Sequence, residues 1–125
     1  MPDPAQMEAA VHEYLRALNA ADLDAVLALF DADASVEDPV GSPPKRGHAE
    51  IRAFYATSLG MQLTLALEGQ VRVAAKEAAF AFSVSLQHEG QQMVIRPIDV
   101  FRFNEAGKVV SMQAFFGPAN IGAGS

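Results

Sequence analysis

Residues 93–103 read MVIRPIDVFRF. In a β-strand these side chains would alternate between two faces, so that Asp99 shares an apolar face with Ile95 and Phe101. Both arginines of the stretch point to the other face, so neither can pair with this carboxyl group. Burial disfavours the charged form of a carboxyl, and a buried Asp99 would stay neutral at pH 7 and donate a hydrogen bond. A bulge or strand end near water is the alternative, and the stretch alone leaves both interpretations open.

The composition is typical of one globular domain covering residues 1–125. Half of the residues are apolar and eight are phenylalanine, which is enough to build a sizeable core. The net charge is −6 and no basic run is present, which argues against binding to nucleic acid or to anionic lipid. The absence of cysteine excludes disulfides and thiolate metal sites.

Neither a membrane span nor a secretory signal is indicated. No apolar run approaches the roughly 20 residues that a membrane-spanning helix needs. The N-terminus reads MPDPAQ and lacks the basic start and the apolar stretch of a signal peptide. We therefore expect a soluble cytoplasmic protein.

Two predicted helices each carry a tyrosine on their apolar side. Residues 6–19 and 48–59 show apolar side chains at helical spacing, and Tyr14 and Tyr55 fall on these stripes. They are the only two tyrosines of the sequence. A hydrogen bond between their hydroxyl groups is compatible with this pattern, although spacing alone does not establish it. A core tyrosine bonded to any convenient acceptor is the alternative.

A candidate carboxylate is predicted at the inner end of a short strand. Asp22 can cap a helix over Leu23–Phe30, and a strand over Ala34–Asp38 follows it. Asp38 would point inward while Glu37 points away, so these two acids cannot act as a facing pair. A loop rich in glycine and proline comes next, and a solvated turn aspartate is the alternative to a functional group.

An alternation with a period of two residues begins at residue 61 and predicts a meander of strands. The predicted strands cover residues 61–68, 70–75, 80–86, 93–103 and 109–116. Helices followed by strands indicate an α+β fold, with three helices packed on one face of a bent, mainly antiparallel sheet. The later strands are apolar on both faces, so we expect a second copy of the chain to cover the exposed face in a homodimer.

The order of these elements resembles the cone-shaped nuclear transport factor 2-like fold, in which helices pack on a strongly curved mixed, mainly antiparallel sheet. Within that fold, the chain resembles the bacterial Δ5-3-ketosteroid isomerases, or steroid Δ-isomerases. The resemblance covers essentially the whole chain. It is most specific in YLRALNA (14–20), ASVEDPVG (34–41), IRAFY (51–55), AAFAF (78–82), PIDVFRF (97–103) and KVVSMQAFFG (108–117).

The resemblance implies an isomerase that moves the C5–C6 double bond of a 3-oxo-Δ5-steroid to C4–C5 through a dienolate. Asp38 would be the general base and proton shuttle, and Tyr14 and a protonated Asp99 would form the oxyanion hole. This family is itself the usual illustration of an aspartic acid kept neutral so that it can donate; the neutral state of Asp99 is therefore implied by the resemblance. The alternation adds that Asp99 shares a face with Ile95 and Phe101. No cofactor and no metal ion is implied.

An apolar substrate pocket is also implied by the resemblance. Its wall would consist of Tyr55, Phe54, Phe82, Val84, Phe101, Met112 and Phe116. Phe30 stands where part of the family has a third tyrosine, so the chain of hydroxyl groups would end at Tyr55. Asn120 stands where some members place a tryptophan at the mouth of the pocket.

Other functions on the same fold are also weighed. An epoxide hydrolase of this type needs an Asp-Arg-Asp arrangement inside the cone, whereas Arg96 and Arg102 lie on the face opposite Asp99. A dehydratase, a polyketide cyclase and a non-catalytic binder of apolar ligands are the remaining alternatives. A binder would not need two acids and a tyrosine in an apolar pocket, because buried polar groups without partners cost stability.

Overall fold

The computed structural model describes residues 2–123, and this range contains three α-helices. They are α1 (Pro4–Asn19), α2 (Leu23–Ala28) and α3 (Gly47–Leu59). α1 begins two residues earlier than predicted because the Asp3 side chain accepts a hydrogen bond from the Gln6 backbone N–H at 2.8 Å. Asp22 caps α2 as predicted, through the backbone N–H of Ala25. None of these three helices is both long and apolar enough to cross a membrane.

Eight strands form one curved, open sheet within the described range. They are β1 (Phe30–Glu37), β2 (Lys45–Arg46), β3 (Thr64–Ala74), β4 (Glu77–His88), β5 (Gln91–Ile95), β6 (Ile98–Phe103), β7 (Val109–Phe115) and β8 (Ile121–Ala123). Their order is β2-β1-β7-β6-β4-β5-β8, and β3 pairs with the other edge of β4. β1 and β7 are parallel, and the other pairs are antiparallel. The α+β class and the mixed, mainly antiparallel sheet predicted from the sequence are confirmed.

The strand predicted over residues 93–103 is in fact two strands. β5 and β6 lie end to end along the same edge of β4, where Val84 is opposite Ile95 and Ala81 is opposite Ile98. The ladder is interrupted between them, because Pro97 has no N–H to donate and the Arg96 N–H donates to the Asn120 carbonyl at 2.9 Å. The predicted face of Asp99 is nevertheless correct, because this residue lies on β6 and is 2% exposed.

The boundary between α2 and β1 also differs from the prediction. α2 ends at Ala28, and Phe30 begins β1 instead of closing the helix. The reason is a distant contact, since the Val109 backbone N–H donates to the Leu29 carbonyl at 2.9 Å and aligns β7 with β1. At its other end β1 stops at Glu37, one residue earlier than predicted, so Asp38 lies just beyond the strand.

Three other parts of the sheet were not predicted in their observed form. Residues 64–74 form a single strand interrupted by a bulge between Glu68 and Arg72, whereas two runs were predicted. The loop after β1 contains the two-residue strand β2, which pairs with β1. The expected short tail forms a 3-10 turn over Pro118–Asn120 and then β8, which pairs with β5.

Aromatic rings fill the core between the helices and the sheet. The fully buried ring of Phe101 lies at the centre of this cluster. Its centroid is 5.0 Å from the Tyr14 ring and 5.1 Å from the Phe80 ring, both in edge-to-face arrangements. This packing fixes the tyrosine of α1 against the strand that carries Asp99.

Candidate active site

A cavity of about 190 Å³ lies between α1, α3 and the inner face of the sheet. Most of its lining is apolar, and strands β3 to β7 all contribute to it. The polar groups that reach it include Tyr14, Asp38, Tyr55 and Asp99. The structure thus brings the three predicted catalytic residues to one apolar cavity, together with the second tyrosine.

The two tyrosines are joined inside the cavity wall. Their hydroxyl oxygens are 2.8 Å apart, which decides between the two alternatives that the sequence left open, and both side chains are buried. If the Tyr55 hydroxyl donates to the Tyr14 oxygen, the Tyr14 proton is free to point into the cavity. The Phe30 ring lies 6.0 Å from the Tyr55 ring and adds no further hydroxyl. Burial raises the pKa of both phenols well above the usual value, so both stay protonated at neutral pH.

Asp99 is the one residue with a carboxyl side chain in the described core. Its backbone lies between Phe80 on β4 and Ala114 on β7, and its side chain lines the cavity. The Oδ1 atom is buried and has no hydrogen-bond partner among residues 2–123. Burial, and secondarily the charge of Asp38, raise the pKa of this carboxyl well above its usual value. This environment favours the neutral form of Asp99, which has a proton to donate.

Asp38 occupies a different environment at the edge of the same cavity. It follows β1 and is half-buried, and burial raises its pKa to about 6. The positive charge of Lys45 opposes part of this shift. Asp38 is thus ionised at pH 7 but remains more basic than an ordinary aspartate.

The neighbouring acid does not share this cavity. Glu37 accepts hydrogen bonds from the Gly41 backbone N–H at 3.1 Å and from the Gln113 amide at 3.2 Å. These bonds lower the pKa of Glu37, the Gly41 bond most strongly. The prediction that Glu37 and Asp38 do not form a facing pair is confirmed.

Five of the seven predicted wall residues line the cavity. They are Phe54, Tyr55, Phe82, Val84 and Phe116. Phe101 and Met112 were also predicted there, and the structure corrects this. Both are 0% exposed and lie behind the cavity, where they are opposite each other on β6 and β7. Alternation identified the correct face for them but not their depth along the sheet.

More than half of the residues that line the cavity were not predicted from the sequence. The missed residues are Leu18, Ser58, Met61, Leu63, Leu65, Leu86, Ile95, Pro97 and Ala114. Leu65, Leu86 and Ile95 lie on apolar faces that the alternation had already identified, so the same signal could have found them. Pro97 lies between two strands, where no periodic pattern applies.

The arrangement supplies one proton acceptor and two neutral donors in the same apolar space. Environments that push the pKa values of two carboxyl groups apart assign one as base and the other as acid. Within residues 2–123, no group of three or more His, Asp or Glu side chains is arranged to hold a metal ion.

We expect Asp99→Asn to change how stability depends on pH. The folded protein keeps the Asp99 proton, whereas the unfolded chain releases it above pH about 4, so the wild-type free energy of unfolding falls as pH rises. The slope is about 1.4 kcal/mol per pH unit for one such proton, up to the folded-state pKa. Urea unfolding at pH 5, 6 and 7 gives the free energy of unfolding of both proteins. As pH increases, the value for Asp99→Asn should rise relative to the value for the wild type.

Asp33→Asn, at an exposed carboxyl, is the matched control and should follow the wild-type pH dependence. Parallel pH profiles for Asp99→Asn and the wild type would mean that Asp99 is already ionised in the folded protein.

Comparisons with known proteins identify the family of the chain. The SnoaL-like domain family matches residues 11–112. A steroid Δ-isomerase of Nocardioides simplex is 40% identical over 117 residues, covering 94% of each chain.

Two solved structures share the fold of this chain. An epoxide hydrolase/cyclase-like enzyme with a role in pyran ring formation in the polyether salinomycin superposes with a TM-score of 0.93 at 29% identity, covering 98% of this chain and 99% of the other. A Mycobacterium tuberculosis protein in complex with estradiol-17β-hemisuccinate gives a TM-score of 0.86 at 22% identity, covering 94% and 98%. The second likeness concerns the fold alone. The chain therefore belongs to the SnoaL-like family of the nuclear transport factor 2-like fold and is homologous to a steroid Δ-isomerase.

Proposed function

We propose that this protein isomerises 3-oxo-Δ5-steroids by moving the C5–C6 double bond to C4–C5. The observation that carries the proposal is the cavity shared by an ionised Asp38 and two neutral donors, Tyr14 and Asp99. The 40% identity to a protein named steroid Δ-isomerase supports the same reaction.

Asp38 is the proton shuttle in this proposal. Its carboxylate removes a proton from C4, between the ketone and the alkene, and the electrons move into a dienolate. The same proton then returns to C6 as the C4–C5 double bond forms. A pKa of about 6 suits both steps, because the group is ionised at pH 7 and still binds the proton it receives.

Tyr14 and Asp99 stabilise the negative charge that develops on the ketone oxygen. Donors aimed at charge that appears only during reaction lower the barrier more than they strengthen substrate binding. No hydrogen bond joins Tyr14 to Asp99 among residues 2–123, and Tyr14 is bonded to Tyr55 instead. The two groups are therefore proposed to donate to the substrate oxygen side by side, rather than one through the other.

A ring-forming or epoxide-opening reaction is the second candidate, because the chain is also similar to an epoxide hydrolase/cyclase-like enzyme. The cavity argues for the isomerase, since no arginine of the described chain lines it. Arg96 and Arg102 are exposed on the outside of the sheet. A non-catalytic binder is disfavoured by Asp99, because an unpaired buried carboxyl costs stability without serving an apolar ligand.

We expect Asp38→Asn to abolish isomerisation while steroid binding persists. The amide keeps the shape of the side chain but cannot accept the C4 proton, so turnover should fall by at least about 10²- to 10⁴-fold. Turnover is measured by the absorbance of the conjugated enone, and binding by calorimetric titration with the conjugated product.

Glu37→Gln provides the matched control, because it makes the same change at the adjacent acid that faces away from the cavity. It should retain wild-type turnover. Equal loss of turnover and of binding in Asp38→Asn would indicate a structural role for Asp38 and would contradict its role as the proton shuttle.

The pH dependence of kcat/KM gives an independent check. For a steroid without ionisable groups, kcat/KM should rise with pH through an apparent pKa of about 6 and then level off, because only ionised Asp38 accepts the proton. Asp99 and the tyrosines keep their protons across this range and add no step. A profile that is flat between pH 5 and 7 would contradict Asp38 as the base.

The functional unit is proposed to be a homodimer formed through the outer face of the sheet. Ile98 and Phe115 are opposite each other on β6 and β7, and they are 48% and 47% exposed. Two large apolar side chains at directly opposed positions form a patch that a second copy would cover. Ile98 is also the residue next to Asp99, so association would shield the strand that carries the donor.

We expect the wild-type protein to sediment as a dimer at micromolar concentration and Ile98→Glu to sediment as a monomer. A carboxylate at the centre of the patch would be desolvated by association, which opposes it. Ile121→Glu, at an exposed isoleucine on β8 that is 38% exposed, should remain dimeric. A monomeric wild-type protein, or a dimer that survives in Ile98→Glu, would overturn this arrangement.

A further inference from the structure

A second concave surface continues from the cavity. It is a groove of about 490 Å³ beside α3. Phe54, Ser58 and Met61 line both the cavity and the groove. The two spaces therefore adjoin along the side of α3.

The cavity alone is small for a large apolar substrate. Pockets that enclose small-molecule ligands usually measure about 300–1,000 Å³, whereas this cavity measures about 190 Å³. With the ketone held by Tyr14 and Asp99, the remote end of a four-ring molecule extends beyond the cavity. The groove adjoins the cavity at Phe54, Ser58 and Met61 and offers space for that end.

Lys45 brings a positive charge to this groove. It lies on β2 directly opposite Val36 of β1, and residues opposite each other in an antiparallel pair share a face. Val36 is buried and Asp38 is two residues further along, so the Lys45 side chain extends on the inner side of the sheet. Its ammonium lies 6.0 Å from the centroid of the Phe54 ring.

The Lys45 ammonium is available to a ligand. Its one hydrogen bond in the described chain is to the Pro43 carbonyl, at 3.3 Å, and none of the ion pairs within residues 2–123 includes it. The acid of the groove, Glu50, accepts a hydrogen bond from the Arg46 backbone N–H at 2.8 Å. Within the described residues, Lys45 forms an ion pair with neither Glu50 nor Asp38, although its charge acts on Asp38.

We propose that this groove is a second compartment of the substrate site and that Lys45 binds an anionic group there, a carboxylate or a sulfate ester at the end of the steroid remote from the ketone. This inference depends on the proposed isomerase function and deepens it by naming a substrate class. Phe54, Ser58 and Met61 carry the apolar and polar contacts between the two compartments. The ammonium makes a charge-assisted hydrogen bond to the anion at the far end.

The test compares two substrates of the same skeleton, a 3-oxo-Δ5-steroid with a 17-carboxylate and its methyl ester. The quantity measured is the ratio of kcat/KM for the acid to kcat/KM for the ester, at pH 8, where Asp38 is ionised. We expect Lys45→Met to lower this ratio by about threefold to tenfold, as for a partly exposed charged pair. Lys45→Arg should preserve the ratio, and Glu50→Gln should raise it.

Lys108→Met is the matched control, because Lys108 is an exposed lysine elsewhere, bonded to the Ala28 carbonyl. It should leave the ratio unchanged. An unchanged ratio in Lys45→Met overturns the proposal, and so does an equal loss for both substrates, which would mean that Lys45 acts through Asp38 alone. Circular dichroism and melting curves establish that each variant is folded.

The failure of the isomerase itself gives a different result. If the wild type converts neither substrate, the proposed reaction is wrong, and the groove is then tested by calorimetric binding of the conjugated acid and ester. Preferential binding of the acid that disappears in Lys45→Met would support the compartment without the reaction. Equal binding of the two ligands would overturn it.

Discussion

The desolvation of a single carboxyl group is the constraint on which the site depends. Asp99 lies in an apolar cavity with an unpaired oxygen, and water cannot stabilise its charge there. The aromatic cluster around Phe101 maintains this condition, because it closes the space behind the carboxyl and holds Tyr14 in place. A core with fewer aromatic rings would admit water and would allow the group to ionise. The same burial lowers the stability of the fold and favours the protonated form of the donor.

The contrast between the two aspartates comes from position alone, since their side chains are identical. Asp99 is on a central strand, between β4 and β7, whereas Asp38 is just beyond a strand end and close to Lys45. One environment keeps a proton on the carboxyl, and the other leaves the group ionised but basic. The fold thus produces an acid and a base from one residue type.

Much of the site could be predicted from the sequence, because periodicity reports which face a side chain occupies. Alternation identified the apolar face of Asp99, and helical spacing put both tyrosines on the buried side. Depth along a face and the ends of strands could not be predicted, because both depend on distant contacts. Phe101 and Met112 have the predicted face but lie behind the cavity, and Phe30 joined β1 because of β7. Lys45 was missed because a two-residue strand has no pattern of its own.

One edge of β4 pairs with two different strands, β6 and β5, and the two pairings support different parts of the sheet. Residues 77–81 of β4 support β6, which carries the acidic donor, while residues 84–88 support β5. Phe82, Val84 and Leu86, which line the cavity, belong to the later part of the strand. Val84 and Leu86 pair with β5, so a change of side-chain size at these two positions acts on the segment that does not hold Asp99. The size of the cavity can therefore change on one segment of β4 while the position of Asp99 depends on the other.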